Sequence, residues 1–486
     1  MKTNAEKLPS PWVSAIPLAV LTGLLYVVIR AFGGEAINGG SQIALLSATS
    51  VCVMFSIGIY RCRWAVLEEA IIDNIRASAS AIVILLLIGA IAGTWMISGV
   101  VPTMIYYGLQ ILHPSFFLVA SCAICAVVSL MTGSSWTTIA TIGVALMGIG
   151  QAMGFSEGWV AGAIISGAYF GDKLSLLSDT TVLASSTAGV EVFTHIRYML
   201  YTTVPSMLIA LGVFTVAGLA LDHGVSTHAE MYAATLAATF RITPWLLAVP
   251  LATGMLIARK LPAIVTLFSS VVFACAAMLL AQPELVARVA GVGELDFMSG
   301  FKGGLMTCFG PTAIPTGAPQ LDELVATRGM AGMLNTVWLI ICAMCFGGVM
   351  TGSGMLRSLT SIFLRWVRRA FSAVASTVGA GIFFNLCTAD QYISIILSGR
   401  LFRELYAERG LEPRLLSRSV EDSATVCSVL VPWNSCGMTQ ATVLGVSTFV
   451  YMPYCIFNIV SPLMSLMVAA IGWKIKRAAG TAAHPH

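Results

Sequence analysis

The chain has 486 residues, of which 57% are hydrophobic and 10% are charged, with a formal net charge of +4 at neutral pH. A soluble protein of this length would carry about 25% charged residues, and the deficit extends along the whole sequence. The composition therefore excludes an ordinary soluble domain and indicates an all-α polytopic membrane protein. Its expected surroundings are the lipid bilayer, with no nucleic-acid partner and no cofactor.

Uninterrupted apolar runs of about 20 residues predict membrane-spanning helices. In chain order these predicted spans are Trp12–Phe32, Ile43–Ile59, Ser80–Ser98, Tyr198–Leu221, Pro244–Ala258, Leu261–Ala281, Met330–Met350 and Tyr451–Trp473. The segment Trp64–Ile75 carries three charged side chains, with Arg76 directly after it, and is predicted to be a separate interfacial helix. Together with the interrupted segments below, the pattern predicts about ten transmembrane helices. Residues 283–328 are mixed in composition and receive no assignment.

Two pairs of apolar arms flank short polar tips. In residues 114–153 the tip is Thr132–Trp136, and in residues 370–401 it is Asn385–Gln391. Each pair predicts a re-entrant hairpin whose tip lies within the membrane.

Two further apolar segments, residues 157–188 and 420–449, contain polar interruptions. The first has charged and hydroxyl side chains between 172 and 181, and Gly167 and Gly171 are expected to let its backbone break. The second is interrupted at Pro432–Gly437. A charge at membrane depth costs several kcal/mol, so such residues normally face a cavity or each other. Both segments therefore predict broken helices of the kind that form ion sites in secondary transporters.

A single offset of 253 residues relates the two halves of the chain. It aligns residues 98–99 with 351–352, 132–136 with 385–389, and 175–180 with 428–433. Lys and Arg collect in cytoplasmic loops, and under this offset the basic residues of the two halves lie on opposite sides. Residues 1–242 and 243–486 are therefore predicted to be inverted repeats in the cell (inner) membrane, with both termini cytoplasmic. The alternative is chance similarity among hydrophobic helices.

The four predicted breaks supply oxygen-bearing side chains that this topology brings together. The candidate ion- or substrate-binding residues are Thr132, Ser135, Asp172, Ser175, Ser178, Asp179, Thr180, Asn385, Thr388, Asp390, Asp422, Ser428 and Asn434. Sodium takes oxygen ligands, and Asp172, Asp179 and Asp390 are expected to bind it. Burial penalises a charged carboxylate, so the same group can hold a proton in place of sodium.

Simpler roles are open for several of these residues. Asp172 and Asp179 could form a structural ion pair with Lys173, and Asp422 could pair with Arg418. A single hydroxyl in a membrane helix more often bonds to its own backbone than to a ligand. His195 is expected at a membrane edge with a surface role.

Twelve cysteines lie mostly within apolar runs. Cys122/Cys125 and Cys342/Cys345 match a CxxC pattern, but each pair lies in an uncharged hydrophobic stretch. We interpret them as small buried side chains rather than as a zinc site. The sequence shows neither a nucleophile–base pairing nor metal-ligand spacing, so no enzyme is predicted.

Several motifs resemble the NhaC family of sodium/proton antiporters. They are Gly167–Thr181, Ser135-Trp136 with Val144–Gly150, Ala389–Tyr392 with Gly399-Arg400, and Glu421-Asp422 with Pro432–Asn434. The resemblance implies a membrane antiporter that moves Na+ out against H+ entry, with the hairpin tips and broken helices lining its site. It also implies elevator-type movement against a homodimer scaffold. This chain has Leu176, Val182 and Val429 where the family pattern has Pro, Asn and Pro.

Two functions are consistent with these features. The first is exchange of cytoplasmic Na+ for external H+. The second is Na+- or H+-coupled exchange of a small organic solute such as malate, lactate or an amino acid, because some relatives exchange organic acids. A dicarboxylate would need paired donors or cations, and Lys173 is the only basic residue placed at the site, which favours the first.

Overall fold

The computed structural model describes residues 8–32, 38–221, 227–259, 261–317, 321–322, 325–365, 367 and 369–475. Their regular structure is helical, apart from an isolated antiparallel bridge between Thr312 and Thr327. In these ranges eight helices are long and apolar enough to cross a membrane, or up to ten if each of two bent helix pairs counts as one span. This confirms the predicted all-α, multi-pass membrane fold. The basic residues at the two termini, Lys2, Lys7, Lys476 and Arg477, lie outside the described ranges.

The first half of the chain forms eleven helices within the described ranges. They are α1 (Pro11–Phe32), α2 (Gly40–Gly58), α3 (Trp64–Ile97), α4 (Val100–Ile111), α5 (Pro114–Thr132), α6 (Ser135–Thr138), α7 (Val144–Ala152), α8 (Glu157–Leu174), α9 (Asp179–Ala188), α10 (Val192–Ala220) and α11 (Thr227–Thr239). A π-helical turn, Ile139–Gly143, joins α6 to α7.

The second half contains shorter elements. They are a 3₁₀ turn (Pro244–Leu247), α12 (Ala248–Ala258), α13 (Ala263–Ala281), α14 (Pro283–Ala290), α15 (Phe297–Phe309), a 3₁₀ turn (Met330–Met333), α16 (Leu334–Gly352), α17 (Met355–Arg365), α18 (Ala370–Thr388), α19 (Gln391–Glu408), α20 (Pro413–Val420), a π-helical turn (Glu421–Thr425), a 3₁₀ turn (Ser428–Leu430), α21 (Ser435–Leu444), α22 (Thr448–Tyr451), a 3₁₀ turn (Met452–Tyr454) and α23 (Ile456–Ile471).

The prediction of a separate interfacial helix at Trp64–Ile75 is wrong. The helix α3 runs without interruption over 34 residues, about 51 Å at 1.5 Å per residue. No Gly or Pro stands between residues 64 and 88, so nothing in this sequence ends the helix after its charged first turns. Consequently Ser78, which lies between the two predicted segments, belongs to a rigid helix that reaches the polar centre of the protein.

The polar tips that the sequence predicts lie between consecutive helices. The turn at residues 133–134 separates α5 from α6, and α18 ends at Thr388, just before Ala389, which has a φ of 57°. Residues 175–178 separate α8 from α9, and the π-helical and 3₁₀ turns between residues 421 and 434 separate α20 from α21. The helices are therefore interrupted at all four places where the sequence has polar residues within apolar runs.

The sequence led us to expect a backbone break at Gly167 and Gly171, and this expectation is wrong. Both lie inside α8, which is continuous to Leu174. A Cβ atom at Gly167 would collide with the carbonyl oxygen of Cys122, and one at Gly171 with that of Ala126. These glycines let α8 pack closely against α5, while the helix ends one turn later at the polar residues.

Each of the two hydrophobic cores combines residues from both halves of the chain. One core includes Trp95 and Phe117 together with Val426 and Phe457, and the other joins residues 21–85 to residues 333–469. Residues of the two predicted halves therefore share both cores.

Candidate functional site

The first carboxylate, Asp172, lies at the end of α8 and faces the tip of the neighbouring hairpin. Its Oδ2 accepts a hydrogen bond of 3.1 Å from the backbone N–H of Ser135 and one of 2.7 Å from the Ser135 hydroxyl. Ser135 is the first residue of α6, so the positive end of that helix points at the carboxylate. The Ser178 hydroxyl also lies beside the Asp172 carboxyl group. Asp172 is thus buried in a cradle made by one hairpin and one broken helix.

The second carboxylate, Asp390, lies in the predicted hairpin tip of the other half, whereas Asp172 lies in the broken helix of its own half. Asp390 Oδ1 accepts a 3.0 Å hydrogen bond from the N–H of Ile393 and so caps the N-terminus of α19. Its Oδ2 accepts from the hydroxyls of Ser435 at 3.2 Å and Ser78 at 3.5 Å. Ser435 opens α21, beyond the break in the second broken helix. Here too a buried carboxylate joins a hairpin tip to a broken helix.

The two cradles approach each other around Tyr392. The Tyr392 hydroxyl lies within electrostatic range of Asp172, Asp179 and Asp390. Asp179 begins α9 next to Asp172, but its side chain is exposed whereas Asp172 and Asp390 are buried. The three predicted sodium-binding carboxylates therefore all lie within electrostatic range of one side chain, and Asp179 is the exposed member of the three. Within the described ranges no three His, Cys, Asp or Glu side chains converge closely enough to hold a metal ion.

Asp422 forms a buried ion pair with Lys173 of α8, 249 residues away. Asp422 Oδ1 also accepts hydrogen bonds from Thr202 at 3.1 Å and Ser461 at 3.2 Å. The alternative that Lys173 pairs with its neighbours Asp172 or Asp179 is therefore wrong. The predicted partner of Asp422, Arg418, is more distant, with 3.9 Å between its Nε and Asp422 Oδ2. The ion pair thus links the first predicted broken helix, through Lys173, to the second, through Asp422.

Sequence reasoning did not anticipate that two charged side chains next to this pair, Arg418 and Glu421, are fully buried. The Arg418 guanidinium lies 4.7 Å from the ring centre of Tyr198, and none of its nitrogens has a hydrogen-bond partner in the described part of the chain. Glu421 accepts a 3.2 Å hydrogen bond from the Thr180 hydroxyl through Oε1. The available signal was the Glu421-Asp422 doublet at the start of a predicted membrane segment, where an unpaired carboxylate is costly.

The other predicted site residues mostly serve the interruptions themselves. The hydroxyls of Thr132 and Thr388 bond within their own hairpin tips, and Ser175 accepts the N–H of Leu177 at 3.2 Å. Asn385 and Asn434 are joined, with 3.2 Å from Asn434 Nδ2 to Asn385 Oδ1. Ser428 donates to Gln391 Oε1 at 3.0 Å. These contacts fix the shapes of the tips around the two carboxylates.

The expected surface role of His195 is not supported by its position. The side chain is fully buried, and its Nδ1 lies 2.8 Å from the Ser417 hydroxyl. Because α10 packs against α20, this ring lies between helices rather than at a membrane edge.

Comparison with known proteins identifies the class. The model of the Na+/H+ antiporter family matches residues 167–473. The chain is 33% identical to the Na+/H+ antiporter NhaC of Bacillus subtilis (strain 168), over 88% of this chain and 91% of that protein. It is 35% identical to the malate-2H+/Na+-lactate antiporter of the same organism, over 84% of each chain. It is 32% identical to the arginine/ornithine antiporter ArcD of Halobacterium salinarum, over 97% of this chain and 94% of that one.

These matches, with the helical membrane fold, define a secondary antiporter and not an enzyme. More specifically, the chain belongs to the NhaC family of Na+/H+ antiporters, as its motifs indicated.

Proposed function

We propose that this protein exchanges cytoplasmic Na+ for external H+ by alternating access. The observation that supports this most directly is the pair of buried carboxylates, Asp172 and Asp390, each held between a hairpin tip and a broken helix. Carboxylate, hydroxyl and carbonyl oxygens are the ligands that a hard cation prefers.

In this proposal Asp172, Asp179 and Asp390 are the sodium-binding carboxylates, and they act at successive positions of the ion rather than together around it, because no three such side chains converge among the described residues. Hydroxyl oxygens from Ser135, Ser178 and other residues at the four interruptions complete the coordination. Because a buried carboxylate needs a compensating cation or proton, sodium and protons compete for the same groups. Exchange follows if the site opens to one side of the membrane at a time. The exposed position of Asp179 supports its assignment to the mouth of the site.

The arrangement of the chain in the membrane belongs to the same proposal. The two halves, residues 1–242 and 243–486, are inverted repeats with both termini cytoplasmic. The interruptions that match under the offset of 253 residues support the repeat. A homodimer remains an expectation from the family resemblance, and its test is the mass of the purified protein in detergent.

Proteoliposomes containing the purified protein and a pH-sensitive dye in the lumen test the proposed function. Sodium added outside acid-loaded vesicles should alkalinise the lumen, with no organic solute present. Asp172→Asn and Asp390→Asn should each slow this response about tenfold or more, because a neutral amide loses the charge that binds the cation. Absence of a sodium response in the unaltered protein would refute the function, and wild-type rates in both variants would refute the site.

A second function, exchange of small organic solutes, is favoured by one observation. The buried guanidinium of Arg418 has no hydrogen-bond partner among the described residues, and such a group suits a carboxylate. Two relatives of similar identity are named for malate and lactate or for arginine and ornithine. The discriminating measurement adds malate, lactate, arginine or ornithine to the same vesicles. A sodium response that requires one of them establishes the second function in place of the first.

A further inference from the structure

The buried carboxyl group of Glu421 has no assigned role, and its surroundings are unusual. The side chain is fully buried in the π-helical turn, yet Glu421 takes part in no ion pair within the described part of the chain. Its Oε2 has no hydrogen-bond partner there, while Oε1 contacts Thr180. A bare carboxylate in such a place is costly unless it takes up a proton.

A short chain of hydroxyl groups leads away from Glu421. The Thr180 Oγ1 atom lies 3.2 Å from Glu421 Oε1 and 2.9 Å from the Ser178 hydroxyl oxygen. Ser178 in turn lies beside Asp172. A hydroxyl can donate and accept at once, so this row connects the buried Glu421 with the cradle of Asp172.

The charged side chains near Glu421 are engaged with other partners, so the row of hydroxyl groups is its best connection to Asp172. Lys173 and Asp172 of α8 are close enough to act on it electrostatically, but Lys173 is already paired with Asp422. On the neighbouring helix α20, Arg418 is oriented toward Asp422 and Tyr198.

The other helices packed against this turn add few charges. They are α9, α18, α19 and α23. Helices α18 and α23 contain no Asp, Glu, Lys, Arg or His, and the Arg and Glu side chains of α19 are exposed. Tyr392 of α19 and Asp179 of α9 lie on the Asp172 side of the row.

Building on the proposed sodium/proton exchange, we propose that Glu421 holds the exchanged proton and that the hydroxyls of Thr180 and Ser178 relay it to and from Asp172. In each transfer a hydroxyl accepts one proton and releases its own, so one proton moves and both hydroxyls are regenerated. The Thr180 contact serves both states, because its hydroxyl can donate to a carboxylate or accept from a carboxylic acid.

This arrangement couples the two ions because both must pass through the carboxyl group of Asp172. A proton reaches Glu421 only when Asp172 is free of sodium, because the relay begins at that carboxyl group. Protonation of Glu421 also removes a negative charge near Asp172, so a proton at Glu421 and a sodium ion at Asp172 disfavour each other. Sodium must therefore leave before the proton is loaded, and the proton must leave before sodium binds.

Two measurements on Glu421→Gln separate proton carriage from sodium binding. The amide keeps the size of the side chain and its contact with Thr180 but cannot carry a proton. Sodium-driven alkalinisation of proteoliposomes should fall about tenfold or more, while exchange of radioactive sodium for unlabelled sodium persists. Acidification should slow that sodium–sodium exchange less in the variant than in the unaltered protein.

A second variant tests the relay itself while Glu421 stays intact. Thr180→Val removes the hydroxyl and keeps the shape, so it should slow sodium-driven alkalinisation about tenfold or more. Ser185→Ala is its matched control and should transport at the unaltered rate. Among the described residues, this buried hydroxyl of the same helix bonds only to the carbonyl of Val182 within α9.

The outcomes distinguish this inference from the proposed function. If the unaltered protein shows no sodium-driven proton movement, the proposed function fails, and the relay with it. If the unaltered protein transports, either of two results for a folded Glu421→Gln variant overturns the assignment of Glu421. The first is sodium-driven alkalinisation at the unaltered rate, and the second is a loss of sodium–sodium exchange as large as the loss of alkalinisation. If Glu421→Gln does not fold, Thr180→Val decides, and a rate equal to that of Ser185→Ala overturns the relay.

Discussion

Removal of one partner from the buried ion pair between Lys173 and Asp422 should destabilise the protein strongly. In a Lys173→Met variant, Asp422 keeps the hydroxyls of Thr202 and Ser461 but loses its cation, and Arg418 lies 3.9 Å away. Breaking a fully buried pair costs about 3–5 kcal/mol because the remaining charge is left uncompensated. We expect a loss of this size in the free energy of unfolding.

The assay is unfolding of the purified protein in mild detergent micelles by stepwise addition of a denaturing detergent. The matched control is Arg241→Met, because Arg241 forms an ion pair of 2.5 Å with Glu284 in which both side chains are more than half exposed. Such a surface pair contributes about 0–1 kcal/mol.

A double variant separates the cost of the unpaired charge from the value of the pair. Lys173→Met combined with Asp422→Leu removes both charges, so it should be less destabilised than Lys173→Met alone. A loss for Lys173→Met no larger than that of the Arg241 control would refute the assignment of a buried pair that joins the two broken helices.

Three further predictions concern the cradles and the packing beneath them. Ser135→Ala removes one charge-assisted hydrogen bond to Asp172, which contributes about 1.5–3 kcal/mol. It should raise the sodium concentration for half-maximal transport about tenfold. Ser129→Ala loses a hydrogen bond to the Ala168 carbonyl and should leave that concentration unchanged. Asp179→Asn should impair sodium-driven alkalinisation less than Asp172→Asn, since the Asp179 side chain is exposed whereas that of Asp172 is buried; equal losses would contradict this order. Gly171→Val should force α8 away from α5 and cost about 1–3 kcal/mol of stability, while Gly212→Val, at a position with open space around it, should cost little in the same unfolding assay.

The alternation of long apolar runs with short polar interruptions was sufficient to predict the fold class. The all-α membrane character, about ten spans and the places of the four interruptions followed from local composition, because the bilayer demands continuous apolar helices and penalises polar residues inside them. Where the local signal was ambiguous the prediction failed. Charged residues near the start of α3 suggested a separate helix, although no residue there ends one.

The choice of partners depended on the tertiary structure. Asp172 and Asp390 were predicted as site residues from their position in the interruptions, but nothing local indicated that Ser135 and Ser435 would hold them. Likewise, Lys173 is adjacent to Asp172 in sequence and yet pairs with Asp422, and Glu421 meets Thr180 across 241 residues.

The sequence by itself thus determined which residues must avoid lipid, since the cost of burying a charge in hydrocarbon is set by the residue and its apolar neighbours. The tertiary structure decided which of them meet, because the pairing of buried charges depends on how helices from distant parts of the chain pack against one another.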